Sequence, residues 1–224
     1  MLLPLALAAS PSSGCLTSPQ ARPLGGGLHQ RLVTANGPVH AWCPVGIEPE
    51  LLVVSVHGSF DSVDDAFRDH GLPPQFEASG ARTLFVLIEG PKGPREPDAW
   101  TAFAPLSNEL TRTLGRPMPT RVLALGHSGG NRTLRAWTKE GLVTDLVLLD
   151  AFYGDPSPWT RSLARVQLVG ALTYAKADAW RRSLPPASAR RVEQLAAGTS
   201  HMGVVTDGRW IPRLVRARVS GDGT

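Results

Sequence analysis

The chain has little of what marks several protein classes. Its two cysteines in 224 residues supply neither a disulfide framework nor a metal site. No apolar run approaches the ~18 or more residues of a membrane-crossing helix. No internal repeat is visible, and the middle of the chain carries no linker-like stretch. Nucleic-acid motifs are missing as well. The net charge of +4 is carried largely by arginine, but without an aromatic-basic repeat the clusters Arg181, Arg182, Arg190, Arg191 and Arg209, Arg213, Arg216 read as solvated surface. No nucleic-acid partner is expected. What is present is a 42% hydrophobic chain, long enough to bury one sizeable core.

Residues 1–27 differ from the rest. Met1-Leu-Leu-Pro-Leu-Ala-Leu-Ala-Ala9 is a short apolar run followed by small and polar residues, similar to the hydrophobic core of an export signal. Ser12-Ser-Gly-Cys15 resembles the bacterial lipoprotein cleavage site, whose cysteine becomes lipidated. Residues 1–27 are therefore expected to be a leader and flexible segment, 28–220 a single domain and 221–224 a tail. The location implied is exported, either periplasmic or membrane-anchored through a lipid on Cys15; the alternative is a cytoplasmic protein. Absent the lipid, Cys15 is a free thiol. Cys43 is expected to pack as a small hydrophobe.

From residue 30 to 43 two strands are expected around Asn36-Gly37, a dipeptide that favours a tight hairpin. Apolar runs then recur at Leu51–Val56, Thr83–Ile88, 121–125, 146–149 and 166–172, with helices expected at 62–70, 97–114, 130–139, 177–184 and Trp210–Val219. Strands alternating with helices imply a mostly parallel sheet covered on both faces, with the hairpin as an antiparallel edge. No insertion between strands is long enough for a large lid.

One of those runs feeds into Gly126-His127-Ser128-Gly129-Gly130. In this G-x-S-x-G pattern a serine sits on a strained turn between a strand and a helix, and glycines let neighbouring backbone approach it. Val122–Leu125 supplies the strand, and the segment from Asn131, closed by Gly141, supplies the helix. Ser128 is thus a candidate nucleophile, while His127 inside the pattern is expected to be structural.

A serine hydroxyl needs a base to take its proton and a carboxylate to orient that base. His201 lies in Gly198-Thr-Ser-His-Met-Gly203, a loop of small residues ahead of the C-terminal helix, from which it can reach the elbow. Asp150 ends a buried strand, where an unserved charge is expensive. Asp178, after the next strand, is the alternative acid, whereas Asp155 sits in a Gly-Asp-Pro-Ser-Pro turn that explains it locally. The charge developing on a tetrahedral intermediate needs backbone N–H donors. Gly129 supplies one. Ser59 or Phe60, after Val56-His57-Gly58, supplies the other, unless Gly58 is an ordinary turn glycine.

Over roughly residues 30 to 220 these parts resemble the α/β-hydrolase superfamily, and Gly-His-Ser-Gly, Leu-Leu-Asp-Ala-Phe-Tyr-Gly and His-Met-Gly-Val-Val resemble an uncharacterised bacterial group within it. The resemblance implies a three-layer α/β fold with a minimal lid. It also implies the chain order serine, acid, histidine, and His201 is the one histidine after Ser128. An acid at Asp150 is similar to the arrangement in acyl thioesterases; Asp178 stands where many hydrolases of the fold carry theirs. The function expected is cleavage of an ester, thioester or amide in a small-molecule acyl substrate through an acyl-Ser128 intermediate, with neither metal nor organic cofactor. The alternative is a catalytically inactive hydrolase-fold protein that binds or scaffolds at the cell surface. Trp100, Phe103 and Trp159 either line an acyl pocket or pack in the core.

Overall fold

Val, Leu and Ile dominate six-residue runs such as Leu51–Val56 and Thr83–Ile88, every residue of which is buried, the pattern of strands covered on both faces. The computed structural model describes residues 14–93 and 95–219. Its strands are β1 (Arg22–Leu24), β2 (Gly27–Thr34), β3 (Gly37–Pro44), β4 (Leu51–Val56), β5 (Thr83–Ile88), β6 (Val122–His127), β7 (Asp145–Leu149), β8 (Arg165–Gly170) and β9 (Val192–Ala196). They form one sheet in the order β1-β2-β3-β5-β4-β6-β7-β8-β9. From β5 to β9 every pairing is parallel, and β1, β2 and β3 extend it as an antiparallel edge. The expected hairpin forms one residue earlier than the Asn36-Gly37 dipeptide suggests: its turn residues are Ala35 and Asn36, and Gly37, at positive φ, already pairs with Thr34 as the first residue of β3.

The helices are α1 (Val63–Asp69), α2 (Leu72–Ala78), α3 (Phe103–Leu114), α4 (Asn131–Trp137), α5 (Ser157–Arg161), α6 (Tyr174–Ser183), α7 (Pro186–Ala189), α8 (Gly203–Thr206) and α9 (Trp210–Val219). Two cores result. One face of the sheet packs against Phe103, Leu106 and Leu110 of α3, Trp137 of α4 and Trp180 of α6. The other packs against Phe67 of α1, Phe76 of α2, Val205 of α8 and Trp210 and Leu214 of α9. Trp100, Phe103 and Trp159 all belong to the first core, so they fill the interior, and none of them lines the cleft that holds Ser128. The helix expected from 97 begins only at Phe103, because Ala102 is extended; Trp100 is buried from a non-helical approach. Helix α2 had no counterpart among the expected helices. Its Pro73 and Pro74 fall in the first turn, where a missing N–H breaks no intrahelical bond.

The N-terminal expectations need correction. Cys15 and Leu16 are buried in the first core, and β1 pairs with β2, so the part of the 1–27 segment from Cys15 onward packs onto the domain. Cys15 and Cys43 form a disulfide with a Cα–Cα distance of 6.3 Å. Two cysteines 28 residues apart do make a cross-link here, because the segment crosses β3 at the second of them. Cys43 is therefore not a packing thiol and Cys15 is not a free one. A Cys15 sulfur bonded to Cys43 also has no valence for a thioether-linked lipid. The apolar run from Met1 to Ala9 and the 221–224 tail lie outside the described residues.

Candidate active site

The carboxyl ends of the parallel strands gather Ser128, Gly129, His201, Asp150, Ser59 and Phe60, as expected for ligand sites in open α/β sheets, but not Asp178. Ser128 follows β6 directly and has φ 47°. A serine held in the left-handed region costs about 1–3 kcal/mol and persists only where surrounding structure over-determines it. Here the glycines do that. A Cβ on Gly126 would lie 2.7 Å from Leu134 Cδ1, and one on Gly130 would lie 2.8 Å and 2.9 Å from the Val56 and His57 carbonyl oxygens. The strand, turn and helix can close only without those side chains.

Asp150 follows β7, also at positive φ (45°), and is wholly buried. Its Oδ1 accepts from Ala171 N (2.9 Å), Thr173 N (2.8 Å) and Thr173 Oγ1 (2.9 Å). Its Oδ2 accepts from Leu172 N (3.1 Å) and from His201 Nδ1 (2.7 Å). Burial pushes the Asp150 carboxyl up, but the hydrogen bonds from Thr173, His201 and Leu172 outweigh it and leave the group below the usual carboxylate range. An ionised Asp150 places the His201 proton on Nδ1, which leaves Nε2 able to accept. Asp178 is elsewhere, on α6, paired with Arg182 one turn away. Of the two acids considered, Asp150 is the one that His201 meets.

The loop after β4 lies beside the elbow because β4 and β6 are neighbours. His57, buried, donates from Nδ1 to Gly58 O (2.7 Å) and accepts at Nε2 from Gly90 N (2.9 Å), pinning the loop to the end of β5. Gly58 is not an ordinary turn glycine: a Cβ there would lie 3.0 Å from His127 Nδ1 and 3.1 Å from Ser128 Cβ. Phe60 N donates to Lys92 O at 3.0 Å, so its N–H is engaged. Ser59 N has no such acceptor among the described residues, and it would stand 3.0 Å from a Cβ on Gly129. Between the two residues considered, the free donor facing Gly129 belongs to Ser59.

Ser59, Ser128, Gly129 and His201 line one cleft of about 580 Å³. Three further residues contribute, of which Tyr153 and Arg135 were not foreseen. Tyr153 lines the same cleft as Ser128, and burial raises the pKa of its hydroxyl; the only sequence signal was its position three residues after Asp150. His127 is structural in a specific way: its Nε2–H donates to the His201 carbonyl (3.1 Å), tying the elbow to the His201 loop. Burial and the neighbouring His201 hold its pKa down at about 4. Third, Arg135 of α4 reaches the same wall. Among the described residues no cluster of His, Cys, Asp and Glu suits a metal ion.

No family model matches the chain, and no curated protein does so. Solved structures do. A putative esterase from Staphylococcus aureus superposes with a TM-score of 0.60 at 12% identity, covering 88% of this chain and 83% of its own. An S-formylglutathione hydrolase from Agrobacterium tumefaciens gives 0.58 at 11%, covering 89% and 98%. A protein that recognises and ring-cleaves the Pseudomonas quinolone signal also gives 0.58 at 11%, covering 86% and 99%. The sheet order, the site at its carboxyl edge and these superpositions define an α/β-hydrolase fold. At such identities they speak for the fold, which hosts more than one chemistry.

Proposed function

We propose that the protein is a serine hydrolase that cleaves an ester, thioester or amide through an acyl-Ser128 intermediate. The observation that carries this reading is the left-handed Ser128 sharing a cleft with a His201 whose Nδ1 is 2.7 Å from a buried, five-bonded Asp150. In the proposed cycle Ser128 Oγ attacks the substrate carbonyl carbon and its proton passes to His201 Nε2. The oxyanion accepts from Gly129 N–H and Ser59 N–H, donors already oriented before reaction. Collapse expels the leaving group, which takes the proton from His201, and water repeats the sequence on the acyl-enzyme. Asp150 holds the imidazole orientation and offsets its charge.

Export to an oxidising compartment belongs to the same proposal, supported by the buried Cys15–Cys43 disulfide. The test of the chemistry is labelling with a fluorophosphonate probe, together with turnover of a short activated ester. Wild type should be labelled and active, and Ser128→Ala should be neither while keeping its melting temperature. An unlabelled, inactive wild type would favour the binding-protein alternative, and an active Ser128→Ala would move the nucleophile elsewhere.

A further inference from the structure

Helix α4 leaves the elbow with Asn131, Arg132 and Arg135 on the side that lines the cleft, as three- and four-residue spacings require. Arg135 stands about two helical turns beyond Ser128, and side chains on a helix lean toward its N-terminus, so its guanidinium returns toward the nucleophile. It reaches across to Gly154, where a Cβ would fall 2.7 Å from Arg135 Nη1.

The two arginines differ in how they are used. Arg132 donates to the Gly93 and Glu96 carbonyls (2.9 and 2.7 Å) and lies 3.7 Å from Asp98. It ties down the loop before α3. The Arg135 side chain is half-buried and makes no hydrogen bond or ion pair with a described residue. The carboxylate that feels its charge, Asp155, is engaged by Ser157 N (3.0 Å) and Ser157 Oγ. The acid that lines the cleft, Asp61, accepts from Ser62 N (2.8 Å) and faces His70 at 3.3 Å. The cleft thus presents a guanidinium fork whose donors are open to a ligand, opposite walls whose carboxylates are occupied.

We infer that Arg135 is a specificity residue that binds a carboxylate on the substrate, so that the enzyme acts on acidic acyl compounds. A planar fork in a partly buried site matches a carboxylate through two parallel charge-assisted bonds. The inference rests on the serine-hydrolase reading for its chemistry, though not for its binding step.

The test uses two pairs of esters that place the carboxylate on opposite sides of the scissile bond. 4-Nitrophenyl hemiglutarate and its methyl ester carry it, or mask it, on the acyl side; 4-acetoxybenzoate and its methyl ester do so on the leaving side. Wild type should prefer the anionic member of at least one pair by about tenfold or more in kcat/KM, the order expected for a charge-assisted pair. The preference should lie chiefly in KM and weaken with salt. Arg135→Gln should erase the ratio and Arg135→Lys should retain part of it. A wild-type ratio near one in both pairs, or a ratio surviving in Arg135→Gln, overturns the assignment. So does an Arg135→Gln variant that slows anionic and neutral esters equally, since that is the mark of a structural role. If no ester is turned over, the hydrolase reading falls separately. The same ratios, read as affinities by calorimetry on Ser128→Ala with and without Arg135→Gln, then decide Arg135 alone.

Discussion

Asp150 Oδ2 and His201 Nδ1 are 2.7 Å apart although the residues are 51 positions apart in the chain. The contact exists because β7 ends beside β8, whose following turn wraps the carboxylate in backbone N–H groups, while the segment after β9 folds back over the same edge. Asp150→Asn keeps the shape but presents an amide to a histidine N–H and to backbone donors. It favours the wrong tautomer of His201. Turnover of a short activated ester should fall roughly 10³–10⁴-fold, with a lower melting temperature from the lost charge-assisted bonds. Asp178→Asn removes only a one-turn pair with Arg182, worth about 0.2–0.5 kcal/mol, and should leave turnover within a small factor. The reverse ranking would move the acid to α6.

The two glycines after Ser128, the proposed nucleophile, should fail differently. At Gly129 a new Cβ meets Ser59 Oγ and stands 3.0 Å from Ser59 N; Ser59 can retreat, but its N–H then leaves the oxyanion position. Gly129→Ala should therefore lose about 100-fold in kcat, the scale for one oxyanion donor, with little change in melting temperature. At Gly130 the obstacles are the Val56 and His57 carbonyls at 2.8 and 2.9 Å, which cannot rotate away. Gly130→Ala should fold poorly. Equal stability losses in both variants would argue against Ser59 as a donor.

Sequence was a good guide wherever one local cue decided the structure. The runs Leu51–Val56 and Thr83–Ile88 are strands to the residue, and Trp210–Val219 is a helix to the residue. It failed at the sheet margins. Strand β9, Val-Glu-Gln-Leu-Ala, is a half-exposed edge without the unbroken apolar run that marks central strands, and the three-residue β1 is too short to carry a pattern. At the site, Ser128, His201 and the pair of acid candidates were legible from motif, order and strand ends. Choosing Asp150 over Asp178, or Ser59 over Phe60, depended on which backbone groups were already engaged, a property of packing. Tyr153, Arg135 and the Cys15–Cys43 pair join segments remote in sequence, and no local pattern announces such contacts.

The Cys15–Cys43 disulfide closes a loop of 28 positions and should contribute about 3.5 kcal/mol, chiefly by restricting the unfolded chain. Reduction, or Cys15→Ser, should lower the urea midpoint accordingly while sparing the cleft at Ser128. Alkylation of the denatured protein should label no cysteine until a reductant is added. A freely labelled Cys43, or a lipid-sized mass on a Cys15 peptide, would refute the pairing.

His127 offers a test through pH. Its imidazole is buried against His70 and His201, with Nε2 donating to the His201 carbonyl and Nδ1 unpartnered. Desolvation first, then repulsion from His201, lowers its pKa from 6.5 to about 4, while Asp150 opposes the shift. Between those values the unfolded chain binds a proton that the folded protein excludes. Stability from this group is therefore complete above pH 6.5, declines as pH falls toward 4 and levels off below; the shift corresponds to about 3 kcal/mol. His127→Gln keeps an amide donor for the His201 carbonyl but removes the titration. Urea unfolding at pH 7, 5.5 and 4.5 should show the wild type losing more stability than the variant over this range. His29, His40 and His70, whose pKa values are also lowered by burial, supply the acid sensitivity that both proteins share. Parallel stability curves for the two proteins would show that His127 takes up its proton as readily in the folded state as in the unfolded one, and that the link from the elbow to the His201 loop does not depend on a neutral ring.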